Sequence, residues 1–290
     1  MRQLLKRVSD LLIHDGDLWG AVSTGYSSIA QDMTYDRKRL QEVISKTQGA
    51  GLKPGDLVRA QSTAEGPAEV KYRANTAFST AYDVLNNFSK IQNRRKIFLY
   101  MSSGYNFNPF PDARKRFDAQ SNSRNGSTDL GVTDPNAPDP SLLSNPFEDQ
   151  NNEFHQADLV RELAELTRQA RRSNVIIYTL DPRGLTAGPD LDETDVLTSE
   201  YQDYVRDTQD TLRVIAEETG GKAIVNMNDF DKALKMIDNE ASDYYVLGYY
   251  SNNPDPLKRK RAVEIRVNRP NTELTYTKEY TLKPPPKAIK

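Results

Sequence analysis

The sequence predicts an α/β fold in which a mostly parallel sheet is flanked by helices and followed by a C-terminal antiparallel β extension. Short apolar runs at Ile97–Met101 and Val175–Leu180 each end in polar residues, as buried parallel strands do. Amphipathic helical patterns alternate with such runs between residues 94 and 240, which is typical of βα units. Beyond residue 243, apolar and polar residues alternate, as in an antiparallel sheet with one covered face.

The composition excludes several classes of function. Lys and Arg number 39 against 41 Asp and Glu, so the formal net charge of -2 gives no overall attraction to nucleic acid or to an anionic membrane. The chain has no cysteine, which excludes disulfides, thiolate catalysis and zinc–thiolate sites. No apolar stretch approaches the roughly 20 residues of a membrane-spanning helix. We therefore expect neither a nucleic-acid partner nor a membrane span.

The part of the chain before residue 94 predicts helices interrupted by short strands. The predicted elements are a helix with Leu4, Leu5, Val8, Leu11 and Leu12 on one face, strands at Asp17–Ser23 and Ser27–Met33, a helix capped by Asp36, a small hairpin from Leu57-Val58 and Val70–Tyr72, and a helix over Thr76–Ile91 with Phe78, Tyr82, Leu85 and Phe88 on one side.

Residues 94–104 form the predicted centre of the fold. The basic residues at 94–96 lead into the apolar run Ile97–Met101, which we predict to be an interior strand with parallel neighbours on both sides. Ser102 and Ser103 follow this strand directly. Open α/β sheets bind ligands at the carboxyl ends of their strands, so the two serines are candidate binding residues.

The remainder of the chain divides into a polar insertion, further βα units and the extension. Residues 105–152 are rich in Asn, Asp, Ser and Pro and predict a solvated, mobile insertion. The predicted elements after it are a helix at Gln156–Arg172 with Leu159, Val160, Leu163 and Leu166 inward, a strand at Val175–Leu180, a helix ending at Gly220-Gly221, a strand at Lys222–Met227, a helix at Phe230–Ile237, and strands at Tyr244–Tyr250, Ala262–Val267 and Glu273–Leu282. The predicted domains are 1–242 for the α/β domain and 243–282 for the extension packed on it, with a loose tail at 283–290.

Six segments in a characteristic order carry a family resemblance. They are Gln31–Arg37, Arg95–Gly104, Val175–Gly184, Leu212–Gly221, Asn226–Asp229 and the Tyr-rich strand Tyr244–Tyr250. Together they resemble a von Willebrand factor A-type domain, and more narrowly the bacterial "VWFA-related" group first noted in Acidobacteria. The resemblance covers most of the chain except the insertions at 49–70 and 105–152.

This resemblance implies a Rossmann-like open sheet and a binding module, not an enzyme. Many members of the family hold Mg²⁺, Mn²⁺ or Ca²⁺ at the carboxyl edge of the sheet. The family's ligands are an Asp-x-Ser-x-Ser loop after the first strand, a threonine at the start of a later helix, which Thr76 matches, and an aspartate after the strand that corresponds to Ile97–Met101, whose position falls on Ser103. The first strand and its loop would lie before Met1, so we expect this site to be degenerate, with no metal or other cofactor unless that upstream loop is present.

The absent first strand leaves a gap in the expected sheet. In the family pattern it lies between the strand near Asp17 and the strand at Ile97, and unpaired buried backbone groups are costly. Three solutions remain open: the two neighbours close up, another segment inserts, or the chain is an incomplete reading of a longer gene. We favour the incomplete reading. The compartment stays open, with export to the periplasm or the exterior expected only if a signal sequence is missing upstream.

These patterns lead to one functional hypothesis and two alternatives. The hypothesis is a non-catalytic protein-interaction module of the adhesion or scaffold type, which binds a protein partner through Thr76, Ser102, Ser103 and Asp181 together with the 105–152 insertion. The first alternative is a hydrolase that uses Asp181 with Glu217 or Glu218. The second alternative is a structural remnant that has no ligand.

Other conspicuous residues favour ordinary structural roles. His14 and His155 lie in no nucleophile or metal spacing, so we expect them at the surface. The basic run Lys258–Arg261 lies between two predicted strands and favours a solvated connection over a nucleic-acid site. The tyrosine pairs at 244–245 and 249–250 are expected to cover a sheet face.

Overall fold

The structure is a computed structural model, and it describes most of the chain outside the polar insertion and the C-terminal extension. The described residues are 1–25, 29–49, 51–60, 62–63, 66–91, 94–106, 110, 112–116, 120, 146–186, 188–189, 195–242, 245, 247–250, 260–272, 274, 276 and 279–281.

Helices and strands alternate along the described chain. The helices are α1 (Arg2–Leu12), α2 (Arg37–Lys46), α3 (Pro54–Arg59), α4 (Ala68–Phe88), α5 (Pro146–Ser173), α6 (Thr198–Glu217) and α7 (Phe230–Ser242). The strands are β1 (Trp19–Val22), β2 (Ala30–Thr34), β3 (Ser62–Thr63), β4 (Gly66–Pro67), β5 (Lys96–Met101), β6 (Val175–Leu180), β7 (Ala223–Ile224), β8 (Lys260–Ala262) and β9 (Glu279–Thr281).

A parallel sheet of three strands in the order β5-β6-β7 lies at the centre. Lys96 pairs with Val175 and Met101 with Leu180, so β5 and β6 run in register over their whole length. The sequence prediction of an α/β fold with a parallel sheet flanked by helices is therefore confirmed. The topology is compatible with a Rossmann-like fold.

Helices cover both faces of this sheet because the apolar side chains of β5 and β6 alternate between them. Phe98 and Tyr100 pack on one face against α4, α5 and α6, around Leu85 and Leu212. Leu99 packs on the other face with α1 and α7. Ile177, Leu180, Leu212 and Leu234 are completely buried in these two layers. Each such side chain contributes about 1.5–3 kcal/mol on leaving water, so the two layers are the main source of stability.

The prediction that Ile97–Met101 is an interior strand is wrong for the described residues. Strand β5 pairs only with β6 and forms one edge of the sheet. The interior strand is β6, in which every residue except Ile176 is buried. The apolar run of β5 reflects its two helix-covered faces, and such coverage does not require a pairing partner on both sides.

The strands near Asp17 and Ile97 do not close up on each other. Strand β1 pairs antiparallel with β2 as a separate two-stranded sheet, and neither strand is paired with β5. Of the three solutions considered for the absent first strand, direct pairing of these neighbours is thus excluded.

The N-terminal elements follow the sequence prediction, apart from the predicted hairpin. Asp36 caps α2, since its carboxylate accepts a hydrogen bond of 2.9 Å from the Lys38 amide. The predicted hairpin strands are both helical: Leu57 lies in α3 and Val70 in α4. Pro54 starts α3 at a position where proline favours a helix, and this signal outweighs the β-branched residues nearby.

Two side chains point away from the faces predicted for them. Tyr82 on α4 is 40% exposed and Val160 on α5 is 64% exposed, whereas the other members of each stripe pack inward. Both lie at the margin of a helical stripe, where a residue of intermediate angle can face either way.

The beginning of the 105–152 insertion is packed, which corrects the prediction of a solvated segment for this part. Phe110 is 2% exposed, and its ring centroid lies 4.8 Å from that of Tyr204 on α6. The Ala113 amide donates a hydrogen bond of 2.9 Å to the Glu200 carboxylate, which fixes a helical turn at 112–116. Most of the rest of the insertion lies outside the described residues.

The C-terminal extension contains less regular structure than predicted. Strands β8 and β9 pair antiparallel, so Lys260 and Arg261 belong to a strand and not to a connection. The prediction of a strand at 244–250 is wrong for its described residues, because Tyr245 and Tyr250 are 96% and 99% exposed and have no strand pairing. Tyr244 lies outside the described residues. Strand β9 contacts α5.

We predict that His14 titrates above its ordinary pKa. Its Nε2 lies 2.8 Å from Asp238 Oδ1 on α7, and this hydrogen bond, with the negative charge of Asp238, raises the pKa of His14 above 6.5. The contact therefore stabilises the fold fully below pH 6.5, and its contribution is lost as the pH rises through the raised pKa. The His14 side chain is 57% exposed, so the effect on unfolding is below about 1 kcal/mol.

The pKa of His14 can be read from an NMR titration of its imidazole signals. Replacing Asp238 by Asn should return the pKa of His14 towards 6.5 and reduce the pH dependence that the contact between His14 and α7 gives to stability. An unchanged pKa in Asp238→Asn would contradict the assignment of Asp238 as the cause.

Candidate functional site

The candidate site lies at the carboxyl edge of the sheet, where β5 and β6 end side by side. The Ser102 amide donates a hydrogen bond of 3.1 Å to the Leu180 carbonyl and extends the β5–β6 ladder by one residue. The Ser102 hydroxyl then accepts a hydrogen bond of 3.1 Å from the Gly104 amide, which turns the chain away from the sheet. Ser103 lies between them, half-buried at the edge.

Asp181 follows β6 and forms a buried ion pair with Arg183. Its side chain has no exposed surface, and Arg183 Nη2 lies 2.8 Å from Oδ2. Arg183 Nε also lies 2.9 Å from Oδ1 and 3.1 Å from Oδ2, so the guanidinium covers both carboxylate oxygens. The Arg183 amide donates a further bond of 3.0 Å to Oδ1. Such bidentate pairing is the strong form of a carboxylate–guanidinium contact.

The guanidinium of Arg183 also connects β5 and α6 to this pair. Its Nη2 donates hydrogen bonds of 2.7 Å to the Ser103 carbonyl and 2.9 Å to the Thr208 hydroxyl. Gln209, the next residue on α6, donates a bond of 3.3 Å to Asp181 Oδ2. Arg183 thus brings together two of the predicted site residues, Ser103 through its carbonyl and Asp181 through its carboxylate.

Aromatic rings surround the polar groups at this edge. The hydroxyls of Tyr100 and Tyr105 form a partly buried hydrogen bond, and the Tyr105 ring centroid lies 4.7 Å from that of Phe78. Burial raises the pKa of both tyrosines above 10.0. Burial likewise raises the pKa of Tyr204, whose ring faces the Arg183 guanidinium at 6.0 Å. All three phenols are therefore neutral hydrogen-bonding groups at physiological pH.

Thr76 is not joined to the other predicted site residues. It lies in the third turn of α4, and its hydroxyl donates a hydrogen bond of 2.8 Å to the Tyr72 carbonyl of the same helix. The family pattern places its threonine at a helix start, but α4 begins at Ala68. Among the described residues, the Thr76 hydroxyl makes no hydrogen bond to Ser102, Ser103 or Asp181.

The residues at this edge do not fit a divalent cation. Such an ion needs several oxygen ligands that carry net negative charge. The carboxylate of Asp181 is already neutralised by Arg183, and the aspartate of the family pattern is replaced by Ser103. In the part of the chain that the structure describes, no three His, Asp or Glu side chains lie close enough together to hold a metal ion.

The acids of the hydrolase alternative are not brought together. Glu218 forms an ion pair of 2.8 Å with Arg171, close to the start of β6 and so at the opposite end of the sheet from Asp181. Glu217 is exposed beside it. A surface groove of about 610 Å³ is lined by Asp231 and Glu240 on α7, but Arg7 and Lys222 pair with these acids.

Sequence reasoning missed Arg183, Thr208 and Gln209. The segment Val175–Gly184 was recognised, but no role was predicted for Arg183. Thr208 and Gln209 lie between Val205 and Leu212, on the inward stripe of α6, and are buried. Two adjacent polar residues within an apolar helical stripe indicate a buried polar partner, and this signal was available in the sequence.

Comparisons with protein-family models, with characterised proteins and with solved structures found no match to this chain. The family resemblance therefore stays a prediction. None of the described helices is both long and apolar enough to cross a membrane.

We predict that Gly104 is required for the turn at this edge. Its φ of +81° lies in the left-handed region, and an added Cβ would collide with the Thr208 carbonyl oxygen. Gly104→Ala should lower the free energy of unfolding by about 2 kcal/mol or more. Gly16→Ala is the matched control, because Gly16 has a φ of +93° but nothing within 4 Å of an added Cβ, and it should cost only about 1 kcal/mol. Equal losses in urea unfolding would contradict this close approach.

We predict that Arg183 and Asp181 stabilise the protein only as a pair. Arg183→Met leaves a buried carboxylate without its cation and should cost about 3–5 kcal/mol in urea unfolding. The double variant Asp181→Asn/Arg183→Met should be more stable than this single variant. The control is Arg206→Met, which breaks an exposed pair with Asp203 and should cost less than about 1 kcal/mol. A double variant no better than Arg183→Met would contradict the coupling.

Proposed function

We propose that this chain is a non-catalytic protein-interaction module of von Willebrand A type, which binds a protein partner at the carboxyl edge of its sheet without a metal ion. The observation that carries the proposal is the Asp181–Arg183 ion pair. At the edge where the resembling family uses a cation and carboxylates, this chain has a guanidinium bonded to its acid and to the neighbouring strand end. In the family, the positive charge that organises this edge comes from a bound cation. In this chain, it would come from the side chain of Arg183.

The chemistry of the edge supports binding over catalysis. The buried carboxylate of Asp181 accepts hydrogen bonds from Arg183 and Gln209, so its lone pairs are already used. The hydroxyls of Tyr100 and Tyr105 are neutral and bonded to each other. What remains at the surface is a rigid strand terminus with Ser102 and Ser103, next to the packed start of the 105–152 insertion at Phe110. A rigid polar surface bordered by aromatic groups suits protein recognition.

The predicted contact residues differ in the part they take in this function. Ser103 is half-buried and is the leading contact residue, with Ser102 beside it. The side chain of Asp181 has no exposed surface, so it acts indirectly by holding Arg183. Thr76 stays in the proposed contact set as a half-buried residue of α4, two positions from Phe78, whose ring contacts Tyr105.

We predict that partner binding depends on Ser103 and is insensitive to chelation of metal ions. Protein captured from source cells by the immobilised full chain should be retained in EDTA and reduced at least tenfold by Ser103→Lys. Ser45→Lys is the matched control, because Ser45 is an exposed serine on α2 and is remote in sequence from the edge. Both variants should show the thermal unfolding of the original chain.

A direct titration tests the metal part of the proposal. Calorimetry with Mn²⁺ and with Mg²⁺ should detect no micromolar site in the full chain. The proposal would be contradicted by a micromolar metal site or by loss of the partner in EDTA. It would also be contradicted if Ser103→Lys retained as much partner as the original chain.

A further inference from the structure

The lateral edge of β5 that faces away from β6 is a strand edge with no partner in the part of the chain that the structure describes. Within the described residues, β5 pairs with β6 on one side and with no strand on the other. Helices cover both faces of the strand, yet Ile97, Phe98, Leu99 and Met101 are only half-buried. An apolar strand edge of this kind is a template for pairing with another strand.

This edge lacks the devices that usually protect an open strand. Strand β5 contains no proline, and its register with β6 shows no bulge. Its single charged residue, Lys96, is turned back onto the end of α4, where Nζ donates hydrogen bonds of 3.0 Å and 3.1 Å to the carbonyls of Phe88 and Ile91. The charge of Lys96 therefore does not lie where it would oppose pairing with another strand.

The hydrogen bonds to β6 determine which backbone groups face outward. The Ser102 amide bonds to the Leu180 carbonyl, and successive residues of a strand direct their amides to opposite sides. The amides of Phe98 and Tyr100 therefore also face β6. Those of Ile97, Leu99 and Met101 face the open edge.

We propose that β5 pairs antiparallel with β5 of a second copy of this chain, so that the two sheets form one continuous sheet across a two-fold axis. An outward-facing residue must meet another outward-facing residue in an antiparallel ladder. Of the symmetric registers that satisfy this rule, centring the axis on Leu99 makes the most hydrogen-bonded pairs within β5, because all three of its outward-facing residues then meet one another. Leu99 then faces Leu99 of the other copy, and Ile97 faces Met101.

The side chains match in this register. On the face covered by α1, aliphatic residues meet aliphatic residues. On the opposite face, Phe98 meets Tyr100, an aromatic pair of the kind that stabilises neighbouring strands. Lys96 faces Ser102, and no two like charges lie opposite each other. About six inter-strand hydrogen bonds would form between the outward backbone groups.

A second copy fits this edge better than residues 245 and 247–250 of the same chain. These residues are also uncharged, but Tyr245 and Tyr250 are almost fully exposed and have no strand pairing, so they do not occupy the edge within the same molecule. A two-fold dimer uses the same edge twice and so covers the β5 edge of both copies. This inference concerns the lateral edge and is independent of the function proposed for the carboxyl edge.

Sedimentation velocity on the full chain tests the association. The mass should rise with concentration to twice 32.8 kDa. Leu99→Lys places two like charges opposite each other and should weaken the dimer at least tenfold. A monomer throughout the concentration range, or a dimer unaffected by a folded Leu99→Lys variant, overturns the proposal.

Cysteine cross-linking tests the register even if Leu99→Lys fails to fold. The chain has no cysteine, so each introduced thiol is unique. Leu99→Cys should form a disulfide-linked dimer by itself, because facing Cα atoms lie about 5.5 Å apart, within disulfide range. Ile97→Cys and Met101→Cys should each stay unlinked when alone. In this register, each of these residues lies about 13 Å along the strand from the same residue of the other copy. Mixed together, these two variants should cross-link.

Met33→Cys is the matched control, because Met33 is a 38% exposed apolar residue in β2, outside the proposed interface. Cross-linking of Met33→Cys as fast as of Leu99→Cys would mean random collision and overturn the proposal. Self-linking of Ile97→Cys, or no linking in the mixture, would do the same.

Discussion

The guanidinium of Arg183 connects the parts of the structure that meet at the carboxyl edge. It neutralises the buried carboxylate of Asp181, holds the carbonyl of Ser103 at the end of β5 and bonds to the hydroxyl of Thr208 on α6. A buried carboxylate without such a cation is strongly unfavourable, so the ends of two strands and one helix are fixed relative to each other. The same contacts leave Asp181 with no free lone pair to offer a metal ion or a substrate. One ion pair therefore both orders this edge and occupies its buried carboxylate.

Much of the fold could be predicted from the sequence because its apolar periodicity is strong. The helices α1, α2, α6 and α7 and the strands β5 and β6 were found mainly from the spacing of apolar residues, with Asp36 marking the start of α2 and Gly220-Gly221 the end of α6. The position of β5 within the sheet was not, because an apolar run indicates covered faces and gives no information on lateral neighbours. Strand β6 differs from β5 in being paired on both sides. The short helix α3 was missed because its apolar pair at Leu57-Val58 is too brief to show a period.

The candidate site was predicted in part. The position of Ser102, Ser103 and Asp181 at the carboxyl edge of the sheet was predicted. Parallel strands end at one edge, so the residues that follow them must lie close together. The dominant residue, Arg183, was not singled out, because its role depends on which carbonyl and hydroxyl lie within reach in three dimensions. Thr76 was assigned by analogy to a helix start, and the helix begins earlier. Assignments by strand ends were thus more successful than assignments by motif.

The pairing of β5 with β6 joins two parts of the chain that are far apart in sequence. Along the chain, β5 follows α1 to α4 in the first half, and β6 lies with α5 to α7 in the second half. The core around Leu85, Tyr100 and Leu212 contains side chains from both halves. A covalent connection between residues 116 and 146 is therefore not what holds the halves in register. Two separate polypeptides divided in this interval have the contacts needed to reassemble, as the fragments of a complementing split protein do.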